Sequence, residues 1–199
     1  MKYAGAGSFQ RNRPLLSFAA GYAGRMADYS FRIATQDDIQ AITDIYNAAV
    51  IRGGSSADTT PRTYAQRKAW VESHHDPYAV FVTTVPATDA ATEGGERIIG
   101  FSALSVFYDR AGYDGVTDLA YYIAPEWQGR GAGTFTLAKL LDECRNRHMR
   151  EACGIIFADN RGSIALMKHF GFTQFGLMPQ AATDSTGTMR DMSYWHLDL

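Results

Sequence analysis

The chain of 199 residues has only two cysteines, Cys144 and Cys153, and neither belongs to a CxxC pair or lies beside a histidine cluster. Such spacing supports neither a disulfide framework nor a zinc site, and two free thiols suit a reducing compartment, so a cytoplasmic location is expected. His74, His75, His148 and His196 show no metal-ligand spacing, and no metal is expected. No apolar run approaches the roughly 18 residues that a spanning helix needs, so no membrane partner is expected. Excess charge is also missing: 19 Lys and Arg against 21 Asp and Glu leave a formal net charge of -2. Binding a phosphate backbone normally calls for a basic face, so no nucleic acid partner is expected.

What is present is enough apolar material, 46% of residues, to bury a substantial core within one domain. Periodic apolar patterning begins only at Phe31. Residues 1–29 therefore read as a flexible N-terminal arm, with a signal segment as the alternative for the mildly apolar stretch 14–24 behind Lys2, Arg11 and Arg13. Residues 30–199 are expected to form the single domain.

Phe31 and Ile33 alternate as in a strand, and Thr35 with Asp38 forms a capping signal before the helical spacing of Ile39, Ile42, Ile45, Tyr46, Ala49 and Val50. Gly53 and Gly54 stop that helix, and Pro61 is placed to open a second one reaching about His74. Residues 78–85 and 97–107 read as a hairpin, with 87–96 as its turn. A strand over 116–124 leads to a glycine loop and a helix over 134–150. A strand over 152–158, a helix over 163–170 and strands over 172–177 and 189–197 complete the order. The mixture of hairpins and strand–helix crossovers predicts an α/β fold on a mixed, mostly antiparallel central sheet flanked by helices.

Gln128-Gly129-Arg130-Gly131-Ala132-Gly133 falls between a predicted strand and a predicted helix, where glycines allow successive backbone N–H groups to converge on an anion. A P-loop needs Gly-Lys-Ser/Thr and a dinucleotide fingerprint needs GxGxxG beside a first strand; neither is here. Glycines at such a place also serve a plain tight turn.

Gln128, Gly131 and Gly133 fit the acetyl-CoA motif of the GNAT superfamily, which the sequence resembles over about residues 30–199. Tyr121-Tyr122-Ile123-Ala124-Pro125-Glu126-Trp127 is similar to that family's strand before a proline. Asn160-Arg161-Gly162-Ser163-Ile164-Ala165-Leu166 through Gly171-Phe172 resembles its later Asn and Gly-Phe segment. Within the superfamily, residues 45–50, the Pro61-Arg62 start with Trp70, and the strand holding Asp118 resemble the phosphinothricin and methionine sulfone acetyltransferase branch.

The resemblance implies acetyl-CoA as co-substrate, with backbone amides of Gln128, Gly129, Arg130, Gly131, Ala132, Gly133 and Thr134 on the pyrophosphate. The pantetheine arm would run along Tyr121, Tyr122 and Ile123, and Asn160 would meet it from the next element. The family also places acceptor loops at residues 55–59, with Tyr64, and at 107–113, and commonly forms dimers, so a homodimer is expected.

An ammonium has no lone pair, so the acceptor amine must lose a proton before attacking a thioester. Asp118 is the candidate base: it stands in an apolar strand and shares one face with Ala120 and Tyr122 by alternation. A glutamate resembles it in place in the phosphinothricin branch. Being one methylene shorter, with an ordinary pKa near 3.9, Asp118 needs burial or a bridging water to act; a strand-end carboxylate that caps a loop is the alternative. The tyrosine that many GNAT enzymes use as general acid aligns with Met167, which has no proton to give. The expected acceptor is the primary amine of a small amino acid analogue. A peptide N-terminus, a polyamine, or no acceptor at all, as in a non-catalytic acyl-CoA sensor, are the competing readings.

Overall fold

A computed structural model describes residues 28–87 and 95–199. The expected arm therefore lies outside the described residues up to position 27, and so does most of the expected 87–96 turn. The elements are β1 (Ser30–Ile33), α1 (Ile39–Arg52), α2 (Tyr64–Glu72), β2 (Ala79–Pro86), β3 (Glu96–Val106), β4 (Val116–Ile123), α3 (Ala132–Asn146), β5 (Glu151–Phe157), α4 (Arg161–His169), β6 (Thr173–Thr183) and β7 (Met189–Asp198). This is the order read from the sequence.

Seven strands form one sheet in the order β1-β2-β3-β4-β5-β7-β6. Every neighbouring pair is antiparallel except β4 with β5, which are parallel and joined by α3. The alternating side chains of the central strands feed two cores. Leu104, Leu119 and Ile156 pack with Leu137, Leu140 and Leu141 of α3 and Met167 of α4. On the opposite face Val80, Val82, Phe101 and Ala103 pack with Ile42, Ile45, Tyr46 and Val50 of α1. The 3.6-residue spacing of the α1 and α3 apolar positions thus covers the period-2 faces of the strands.

Several boundaries differ from the sequence reading for local reasons. Asp38 accepts hydrogen bonds from the Thr35 backbone and hydroxyl, at 2.6 and 3.1 Å, and this box holds a 3-10 turn over Gln36–Asp38 before α1. Thr63, not the residue before Pro61, caps α2 through a reciprocal bond with Gln66. β6 runs six residues past its expected end because irregularities in the β6–β7 register absorb Pro179 and its neighbours.

Candidate active site

The parallel pair β4–β5 is short: only Val116, Thr117 and Asp118 pair with Glu151, Ala152 and Cys153. β4 stays paired with β3 as far as Ile123, while β5 continues along β7 to Phe157. The two strands part after Asp118. The β5-side edge of Leu119–Ile123 thereby carries backbone groups that no neighbouring strand takes, an arrangement suited to an extended amide-bearing ligand.

Beyond Ile123 a 3-10 turn, Pro125–Trp127, leads into the glycine loop. Gly129 and Gly131 have φ of 72° and 88°, and a Cβ added at either would meet nothing within 4 Å. Backbone conformation rather than crowding therefore requires glycine at both, and the space beside them stays open. Gly131 is the N-cap of α3, so the helix begins at Ala132, two residues before the expected Thr134, and no side chain caps it. The first helical bond is Phe135 N to Gly131 O at 2.9 Å, which leaves the amides of Ala132, Gly133 and Thr134 without helical acceptors. Converging N–H groups at a helix start favour an anion. Gly133 serves differently: its Cβ would stand 3.2 Å from Leu166 Cδ1, so it lets α3 approach α4.

Gln128 secures this loop through its side chain. Nε2 donates to the Ile123 carbonyl at 2.8 Å, and Oε1 accepts from Arg52 at 3.0 Å. The Arg130 carbonyl accepts from the Tyr29 hydroxyl at 2.8 Å, and its guanidinium lies 5.6 Å from the Trp127 ring centroid. Asn160 Oδ1 accepts from Ser163 N at 3.1 Å, which makes Asn160 the N-cap of α4.

Strand alternation separates the two tyrosines. Tyr121 packs on the α3–α4 side, where burial pushes its hydroxyl up to about 12 against the opposing effect of Ser163. Tyr122 packs on the α1 side, 5.1 Å edge-on from Tyr46, and burial raises its pKa well above the ordinary value. Asp118 shares the Tyr122 face. Its Oδ1 is buried with no hydrogen-bond partner, and burial raises its pKa to about 7. It lies opposite Ser105 on β3 and Cys153 on β5.

On the face that Asp118 shares with Tyr122 lie α1, α2 and the loop between them. The Tyr46 hydroxyl donates to Asp58 at 2.6 Å and lies 2.9 Å from Ser56, while Arg62 Nε donates to Asp58 at 2.6 Å. Ser56 and Asp58 belong to the expected 55–59 loop, and the exposed rings of Tyr108 and Tyr113 to the 107–113 loop. Arg67, which the sequence reading did not single out, is buried with its guanidinium 3.8 Å from the Tyr46 ring centroid and 4.6 Å from that of Trp70. No local sequence signal marks it, since Tyr64, one turn earlier on the same helix, is exposed. Met167 is fully buried, with its sulfur against Gly154. Folding also gathers Glu151, His196 and Asp198, whose ligand atoms lie within 4.8 Å of one another; no short sequence spacing announces that group. No helix among the described residues is long and apolar enough to cross a membrane.

The acetyltransferase (GNAT) family model matches residues 39–172, which span α1, the parted strands, the glycine loop and α4. The chain belongs to that family. It is 30% identical to a phosphinothricin N-acetyltransferase of Streptomyces coelicolor, over 75% of this chain and 85% of that one. It is 28% identical to an L-methionine sulfoximine/L-methionine sulfone acetyltransferase of Pseudomonas aeruginosa, over 85% of this chain and 94% of that one. Among solved structures, a phosphinothricin acetyltransferase from Sinorhizobium meliloti in complex with acetyl-CoA superposes with a TM-score of 0.74 at 26% identity. That match covers 86% of this chain and 88% of that one. This acetyltransferase therefore uses acetyl-CoA, and the open glycine loop and parted strands fit such a co-substrate.

Proposed function

We propose that this acetyltransferase moves an acetyl group from acetyl-CoA to the primary amine of a small amino acid analogue of the phosphinothricin or methionine sulfone type. In this reading the amides of Gln128 to Thr134 hold the pyrophosphate, and the edge of Tyr121, Tyr122 and Ile123 pairs with the pantetheine amides. In the same reading Asn160 meets that arm from the neighbouring element. Asp118 takes the amine proton, directly or through a water.

The observation that carries the chemistry is Asp118: a carboxylate with a buried, unpaired oxygen and a pKa raised to about 7, beside the point where β4 and β5 part. A base poised near neutrality is matched to deprotonating an ammonium. Met167 cannot protonate the departing thiolate, whose ordinary pKa near 8.5 lets water do so. Support for the acceptor class comes from the names of the two curated relatives.

Thiol release measured with phosphinothricin, methionine sulfone, a polyamine and a short peptide as acceptors tests the reading. Turnover of the first two is expected. Turnover confined to the polyamine or the peptide replaces the acceptor class, and acetyl-CoA binding with no turnover of any amine replaces the enzyme by a sensor. We also infer a homodimer, supported by the exposed apolar face of Ile155, Phe175 and Met178, and a cytoplasmic location, supported by two free thiols. Sedimentation at micromolar protein checks the former and cell fractionation the latter.

A further inference from the structure

Arg67 is 6% exposed, and its Nε is buried with no hydrogen-bond partner. Among the described residues no carboxylate pairs with it. Asp58, whose charge it feels, is already taken by Arg62 and by the Tyr46 hydroxyl. Two aromatic faces, Tyr46 and Trp70, attract the guanidinium. A ring face cannot, however, satisfy the in-plane fork of N–H donors that suits an oxyanion. A buried cation without a counter-ion is costly, and burial lowers the pKa of this arginine accordingly.

The location relates that unpaired Nε–H to the site. Tyr46, on which it stacks, packs edge-on against Tyr122, and Tyr122 shares its strand face with Asp118. Trp70, the other stacking ring, packs against His74, which reaches Ser105 opposite Asp118. Arg67 thus lies on the face of β4 that carries Asp118 and Tyr122.

We infer that Arg67 is the specificity-determining residue that holds an oxyanion of the acceptor, its carboxylate or a phosphinate, while the amine faces Asp118. The inference rests on the amino acid analogue reading above and adds which residue recognises the acceptor's anionic group. Arg67 supplies the only positive charge in this stack of rings, so an acceptor with an oxyanion fills the missing pairing, and a neutral amine leaves it unmade.

Four acceptors separate the possibilities: phosphinothricin, methionine sulfone and the α-carboxamide of each. They carry both oxyanions, the carboxylate alone, the phosphinate alone and neither. For the wild type, kcat/KM is expected to be about 10- to 150-fold higher for acceptors with the anchored oxyanion than for the doubly neutral one, the range of a charge-assisted hydrogen bond. In Arg67→Gln that ratio is expected to collapse toward unity, with the change in KM for the acceptor and none in KM for acetyl-CoA. Loss that tracks the carboxamide assigns the carboxylate, and loss that tracks the phosphinate assigns the distal group. Equal wild-type turnover of all four, or an unchanged ratio in Arg67→Gln, overturns the anchor while leaving the amino acid analogue reading standing. Turnover of only polyamines or peptides overturns both. Should Arg67→Gln fail to fold, as its melting curve would show, the wild-type ratios and Arg67→Lys, which keeps the charge but loses the fork, still decide.

Discussion

Asp118 stands directly across the β3–β4 ladder from Ser105, whose hydroxyl lies 2.9 Å from His74 Nε2. The other ring nitrogen of His74 is 2.7 Å from the Trp70 carbonyl, a contact that requires a proton on Nδ1. Nε2 is then the acceptor for the Ser105 hydroxyl, and burial lowers the His74 pKa and keeps the ring neutral. Asp118 therefore has a neutral neighbour there rather than a cation, and burial alone sets its raised pKa.

In the proposed mechanism the carboxylate form of Asp118 is the active base, so kcat/KM should rise about tenfold per pH unit below 7 and level off above it. Asp118→Asn should lower turnover by about 10²- to 10⁴-fold with acetyl-CoA affinity unchanged, as read by thiol release and calorimetry. Stability runs the other way. A carboxyl whose folded pKa exceeds its unfolded one stabilises the protein at low pH, and that contribution is lost as pH rises from about 4 through 7. At pH 8 the asparagine variant should melt at a higher temperature than the wild type.

Gly131 caps α3 with φ of 88° and has open space around it, so Gly131→Ala imposes strain without a clash. A loss of about 1–2 kcal/mol in unfolding free energy is expected, together with a raised KM for acetyl-CoA. Gly133→Ala presses instead on Leu166 and should shift the melting temperature with a smaller effect on that KM.

Asp184 joins the β6–β7 turn to the loop after α1. Its buried carboxylate accepts from the Gly54 amide at 3.0 Å, the Thr186 amide at 2.9 Å and Arg190 Nε at 2.7 Å. The Thr186 hydroxyl and Arg190 hold its pKa well below the ordinary carboxylate range. The stability it contributes is present above pH 4 and is lost as pH falls. Asp184→Asn should lower the melting temperature at pH 7 by several degrees, flatten its fall below pH 4, and raise KM for the acceptor because residues 55–59 lose their tether.

Met167 fills the space over Gly154, so Met167→Tyr overpacks a buried position before it restores any acid. The expected outcome is about 1–3 kcal/mol of destabilisation in denaturant titration, with no gain in turnover.

Local rules carried the reading where the deciding contacts are near in sequence. Residues 39–50 announced α1 because its apolar spacing and the Thr35–Asp38 box are both local. The glycine loop was legible because positive φ at Gly129 and Gly131 is a property of single residues. Asp118 was legible as a lone carboxylate in an apolar strand, with alternation placing it beside Tyr122.

Arg67 and Asp184 show what local rules miss. Nothing in the Gln66-Arg67-Lys68 stretch distinguishes a solvated arginine from a buried one; α2 lying against Tyr46 decides it. Asp184 is bonded to Gly54, 130 positions away in the chain.

The sequence by itself determined the order of elements, the glycine loop and the family, because period, capping and turn chemistry act over a few residues. Only the tertiary structure decided where β4 leaves β5, how Asp118 is buried and which cation is buried without a carboxylate partner. Those depend on which distant side chains exclude water from a charge, and desolvation is a property of the packed surroundings rather than of any neighbour in the chain.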